Sequence, residues 1–304
     1  MFSYAGEIAA LLTALCWSMN SLFFSSAGKR VGSSTVNLLR LWIALAILVP
    51  VHTVLTGIPI PWRASPTAWL SLSLSGMIGF VLGDAAYLEA LVLLGPRLVM
   101  LLMTTSPFVA ALLGWLISGE TLGRWEICAM IVTLAGVSWV VGEGNGGGDA
   151  KRGTGFRKGI LFGLLGAVGQ AVGLLFSKMG LKTGISPMSA NLIRIAAAGA
   201  LMTGIVLLTG RFAYYRGKFK EKQALRMIAL GTLLGPLTGV ILSLYSVKLA
   251  PLGVASTLMS LSPVILIPIS RFVLHEKISL RAVVGTILSL LGVALFFLAP
   301  LLSS

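Results

Sequence analysis

"NLLRLW" occupies residues 37–42, and "NLIRIA" occupies residues 191–196. Asn37, Leu38, Leu39 and Arg40 are answered, half a chain later, by Asn191, Leu192, Ile193 and Arg194. Each arginine stands beside a long apolar run, where a charge is expensive. Further echoes surround them. "GEIAALLTALCWSMNSLFF" from Gly6 lies over "GILFGLLGAVGQAVGLLFS" from Gly159, and "LGPRLVM" from Leu94 over "LAPLGVA" from Leu249. Ser106-Pro107 falls on Ser262-Pro263, Gly136 on Gly292, and "GETLGRW" with Glu120 on "HEKISLR" with Glu276. Self-similarity on this scale marks a duplicated unit.

Composition says what the unit is made of. Of 304 residues, 57% are hydrophobic and 11% charged, against about 25% charged in an ordinary soluble domain. The 36 glycines also suit membrane helices. A membrane-crossing helix needs roughly 20 mostly apolar residues. Ten runs qualify, near 6–27, 35–56, 67–94, 97–118, 125–142, 159–180, 187–209, 224–248, 252–273 and 280–299. Runs such as "LRLWIALAILVPV" from Leu39 do not alternate as barrel strands must. The sequence therefore predicts an all-α integral membrane protein. "MFSYAGE" puts only an acid before the first run, so no cleaved signal peptide is expected.

Five helices per unit is an odd number, so the second unit must enter the membrane from the opposite face. The prediction is ten transmembrane helices as two inverted five-helix repeats around a central cavity, the common plan of secondary transporters. The repeats span 1–145 and 158–304, joined by a Gly-rich linker at 146–157. Arg40 and Arg194 then sit at the starts of helices 2 and 7. Two readings stand for them: snorkelling to the headgroups, or gating and substrate binding.

On these features the chain resembles the drug/metabolite transporter superfamily in its ten-helix EamA branch. The resemblance is carried by the doubled unit, the Ser-Pro in helices 4 and 9, the Glu after each, and "VVGTILSLLGVALF" at 283–296. Within the branch it is similar to amino-acid exporters of the YddG type. The resemblance implies helices packed around a cavity that closes alternately at either end.

Basic residues divide sixteen against five between the two faces of this topology, apart from Arg40 and Arg194. The positive-inside rule places the richer face in the cytoplasm and both termini outside. The predicted location is a bacterial inner membrane, multi-pass. The basic stretch "RFAYYRGKFKEKQALR" at 211–226 is read as a cytoplasmic loop against anionic lipid, with no nucleic-acid partner.

Signatures of an enzyme are scarce. His52 and His275 stand apart, and Cys16 and Cys128 have no metal-ligand spacing and are read as buried thiols. "GNGGGD" at 144–149 lacks the lysine of a P-loop. No cofactor, metal or ATP-driven step is expected.

What remains is the polar set inside the spans. Asp84 lies mid-span, where a carboxylate costs about 2.5–3.5 kcal/mol on insertion scales, so it needs water, a partner or a cavity. The predicted substrate cavity comprises Trp17, Asn20, Phe80, Asp84, Tyr87, Met103, Gln170 and Tyr245. Glu89 is read as paired or interfacial. Pro107, Pro236, Pro263 and Pro268 are read within helices. The predicted hinges are Pro107, Pro263 and Pro268, with Gly79, Gly83, Gly235 and Gly239 as close-packing or sliding faces. Glu120 and Glu276 are expected to cap the following helix or pair with loop arginines. A monomer is expected, with a dimer contact through helices 5 and 10 left open. The predicted function is non-ATP export of amino acids, aromatic and other neutral ones included, by alternating access. The alternative is a proton-coupled exporter of lipophilic cations, drugs or another small metabolite.

Overall fold

The structure, a computed structural model, describes residues 4–118, 123–143, 154–210, 212–249, 258–272, 275 and 278–302. Every regular element among them is helical. In chain order these are α1 (Ala5–Val31), α2 (Ser33–Thr56), α3 (Pro66–Leu94), α4 (Pro96–Met103, resuming as Ser106–Ser118), α5 (Arg124–Glu143), α6 (Thr154–Leu181) and α7 (Pro187–Leu208). A short turn of helix, Phe212–Lys218, precedes α8, which runs through Lys222–Thr232, Leu233–Gly239 and Val240–Leu249. α9 (Ser262–Phe272) and α10 (Leu280–Leu302) complete the chain.

Among the described residues, α1 to α8 each provide a segment long and apolar enough to cross a membrane, while α9 and α10 provide shorter apolar runs. The ninth predicted run, 252–273, falls partly outside the described residues, as do Glu120, Glu276 and most of the linker. Leu70, Leu116, Leu208, Trp42, Trp115 and Trp139 are exposed on the outer surface. An apolar exterior of this extent fits lipid and not water.

Local chemistry sets the helix ends. α1 meets α2 across the single residue Gly32 (φ 88°), and α3 meets α4 across Gly95 (φ 82°). Both need the left-handed half of φ space that glycine enters freely. α3 and α7 open alike, with Ser65 and Ser186 each accepting a hydrogen bond at 3.2 Å from a backbone N–H three residues on. Pro66 and Pro187 follow in the first turn, where no N–H is needed.

Glycine then sets how closely helices cross. α3 and α6 meet with Gly79 and Gly83 facing Gly173 and Gly169. A methyl built on Gly173 would lie 3.0 Å from the Gly79 Cα, and one on Gly83 would lie 3.1 Å from the Gly169 Cα. α5 and α10 pack mainly on each other. There a methyl on Gly136 would meet the Gly285 carbonyl at 2.7 Å, and one on Gly292 the Ala129 carbonyl at 2.8 Å. Thr133 reinforces that seam by donating to the Ser289 carbonyl at 3.2 Å.

The helices are interrupted in pairs. α3 contains a π-helical segment at Met77–Gly83 and α8 contains one at Leu233–Gly239, with Pro236 inside it. α4 breaks at Thr104-Thr105 before Ser106-Pro107, and a turn at Ser260-Leu261 precedes Ser262-Pro263. Pro107 and Pro263 therefore stand in the first turn of a fresh helical segment, not in a helix interior as the sequence reading had it. A missing N–H is harmless there. Pro268 does lie inside its helix. Of the two cysteines read as buried, Cys128 is exposed and Cys16 is half-buried.

Candidate functional site

The π-segment of α3 ends directly before Asp84. A π-turn departs from the i→i−4 ladder, which lets side chains from outside reach its carbonyls. Asn37 on α2 does so, donating through Nδ2 to the carbonyls of Phe80 (3.1 Å) and Val81 (3.4 Å). Its Oδ1 accepts from Arg40 Nε at 2.9 Å, so Asn37 also aims the guanidinium. Arg40 Nη2 then reaches the Phe80 carbonyl at 3.4 Å and forms an ion pair with Asp84 Oδ2.

The other carboxylate oxygen is taken from the opposite side. Gln170 on α6 donates through Nε2 to Asp84 Oδ1. The glycine crossing of α3 and α6 makes this reach possible, since Gly169 beside Gln170 lies against Gly83 beside Asp84. Asn37, Arg40 and Asp84 are all buried. Arg40 thus does not snorkel: α2 packs on the turns of α3 that begin at Asp84, and a carboxylate inside the protein is the nearer partner.

Arg194 comes to the same place from α7. Its guanidinium carbon lies 4.4 Å from the centre of the Phe80 ring, and that of Arg40 lies 5.9 Å from the same ring. Both cations act electrostatically on Asp84. Arg194 Nε is buried without a hydrogen-bond partner. The two arginines of the repeated motif therefore converge on one acid.

This cluster forms one wall of a cavity of about 430 Å³. Trp17, Phe24, Met100, Met103, Val240 and Met259 supply apolar surface, and Asn20, Arg40, Asp84, Tyr87 and Gln170 supply polar groups. Thr104, Ser106, Pro107, Ser260, Ser262 and Pro263 also line it, so both interrupted segments face the space. Ser18 on α1 ties the second of them by donating to the Ser262 carbonyl at 3.1 Å. Tyr87 donates from Oη to Met100 Sδ at 3.7 Å, and Asn20 Oδ1 is buried and unpartnered.

Of the residues singled out in the sequence, Trp17, Asn20, Asp84, Tyr87, Met103 and Gln170 come together here, with Pro107, Pro263 and Gly235. Phe80 lies beneath the two arginines and is not part of the lining. Tyr245 is 57% exposed on the outside of α8. Gly239 abuts Trp17, while Gly79 and Gly83 sit in the α3–α6 crossing and Pro268 is off the cavity. Glu89 accepts from Ser33 Oγ.

Phe24, Met100 and Pro236 join the wall without having been singled out for it in the sequence, and Arg40 takes the second of its two readings, lining the cavity. The signals were present: Phe24 is four residues beyond Asn20, on the face that Trp17 starts, and Met100 shares a face with Met103. Among the described residues no three His, Cys, Asp or Glu side chains gather as a metal site.

Comparison with known proteins gives these features a setting. The profile of the EamA-like transporter family matches the chain twice, over residues 4–142 and 157–298. An uncharacterized transporter of Archaeoglobus fulgidus is 25% identical over 296 residues, covering 97% of this chain and 98% of that protein. A solved crystal structure superposes with a TM-score of 0.62 at 19% identity, covering 98% of this chain and 99% of its own, a likeness of fold.

Proposed function

Because the chain belongs to the EamA-like transporter family, and so is a multi-pass membrane protein that transports a solute, we propose that it exports neutral amino acids, aromatic ones and methionine included. The proposed mechanism is alternating access around the cavity, without ATP, across a bacterial inner membrane. Ten helices in two inverted halves are the proposed frame. The doubled profile match and the paired Ser-Pro interruptions support it. Both termini are placed outside on the charge bias.

One observation carries the substrate class: an apolar, sulfur- and aromatic-rich wall around a single buried charged cluster. A cavity of about 430 Å³ is within the usual range for small-molecule sites. Arg40, Arg194 and Asp84 together carry one net positive charge. That matches one carboxylate, whereas a phosphate ester brings roughly two negative charges. Asn20 in the wall has an enclosed, unpartnered Oδ1 that a small side-chain rotation would offer to an ammonium group. Trp17, Phe24, Met100 and Met103 suit an apolar or aromatic side chain. A lipophilic cation fits poorly, because both Asp84 oxygens are already engaged.

Liposomes containing only this protein test the proposal. Radiolabelled phenylalanine, methionine and threonine should equilibrate across them, and a quaternary ammonium dye should compete weakly. Dye flux without amino-acid flux would sink the assignment.

A further inference from the structure

The buried charges do not balance. Arg40 is paired with Asp84, but Arg194 has no ion pair among the described residues, and its Nε is buried without a partner. Arg194 is half-buried with its Nε enclosed, and a guanidinium so placed is costly until an anion reaches it. Arg40 lines the cavity and Arg194 does not, although both approach the ring of Phe80 and both act on Asp84. The acid therefore has two possible partners, one on the cavity side and one behind it. α8 carries no acid to match, since Gly239 falls where Asp84 would repeat.

We infer that the substrate carboxylate binds by partner exchange: it displaces Asp84 from Arg40, and Asp84 passes to Arg194. Two guanidinium groups then face two carboxylates, and the buried cluster becomes neutral. Arg40 is the group that touches substrate. Arg194 is a positioning residue that receives the displaced acid, and Gln170 stays with Asp84 Oδ1 on the side away from Arg40. The cavity thereby selects for a carboxylate and against the same molecule without one. The inference rests on the proposed transport of amino acids only for the choice of ligand, not for the exchange itself.

Isothermal titration of the purified full chain decides it, using phenylalanine, its amide and 3-phenylpropionate. Phenylalanine and 3-phenylpropionate should bind, and phenylalaninamide should not. Arg194→Gln should weaken the two acids by roughly 30-fold, the lower range for removing one partner of a buried charge pair. Arg194→Lys should keep the preference for acid over amide. Adding Asp84→Asn to Arg194→Gln should recover most of the lost affinity, since Arg40 then has no internal competitor. A merely structural Arg194 would not be rescued in this way. Where Arg194→Gln does not yield folded protein, Asp84→Asn alone serves: it must bind the acids more tightly than the native chain.

Equal binding of acid and amide overturns the inference. So does unchanged affinity for the two acids in Arg194→Gln, absence of rescue by Asp84→Asn, or binding of neither acid. If 3-phenylpropionate binds and phenylalanine does not, the exchange stands and amino acids are lost as the substrate class. If phenylalanine binds and Arg194→Gln has no effect, the exchange is lost and the amino-acid reading stands.

Discussion

Arg40 and Arg194, equivalent residues of the two halves, approach the same Phe80 ring at 5.9 and 4.4 Å, and a single acid, Asp84, lies within the field of both. The repeated Asn-Leu-Leu-Arg and Asn-Leu-Ile-Arg motifs hold the two arginines, and the fold brings them to one site.

Removing one member of the Arg40–Asp84 pair should destabilise the protein. Losing a partner from a buried ion pair costs about 3–5 kcal/mol, whereas replacing both with apolar groups is often neutral. Asp84→Leu and Arg40→Met should each lower the melting temperature in detergent. The double substitution should lower it by less than the sum of the two, yet abolish flux. Additive losses would mean that the pair is not energetically coupled.

The glycine crossing should be intolerant of a single methyl. Gly83→Ala puts a carbon 3.1 Å from the Gly169 backbone, with no flexible side chain able to yield. It should separate α3 from α6, detach Gln170 from Asp84, and reduce both melting temperature and flux. Gly204→Ala is the control, because nothing lies within 4 Å of the added methyl. Equal melting temperatures for the two variants would show that the crossing is not close-packed.

Much of this arrangement was readable in the sequence. The apolar runs gave the helices, and Asp84, Asn20, Gln170 and Trp17 were identifiable because polar groups in such runs need a reason to be there. Arg40 was misplaced for a physical reason. Position along a helix says how near its end a charge lies, but not that the facing helix carries a π-segment with accessible carbonyls and an acid. Tyr245 failed differently. A single tyrosine in an apolar helix suits the lipid-facing side as well as a cavity, and no neighbour in the sequence decides which. The π-segments left a trace only in Pro236 and the glycines around it.

Topology can be checked on the cell surface. The sixteen-to-five charge division predicts that the linker is cytoplasmic and the C-terminus outside. Cys128 is exposed, so both native cysteines should first be replaced by serine. A cysteine at Ser304 should then react with an impermeant maleimide on intact cells, and one at Ala150 should not. The reverse pattern would invert the assignment.

The last prediction concerns motion. Pro107 and Pro263 each open a helical segment directly after a turn, and both line the cavity. Proline there sacrifices no hydrogen bond, so alanine should leave the melting temperature nearly unchanged. Alanine does supply an N–H, which lets a continuous helix form across Thr104-Thr105 or Ser260-Leu261. A continuous helix would stiffen the cavity wall in whichever half carries it. Pro107→Ala and Pro263→Ala should therefore slow flux more than they weaken binding of phenylalanine, as the proposed alternating access requires when opening and closing limit turnover. The double variant should be slower than either, since each interruption serves its own half. Titration and liposome flux on the same preparations separate the two effects. A loss of affinity in proportion to the loss of flux would make these prolines part of the binding surface, not points of movement.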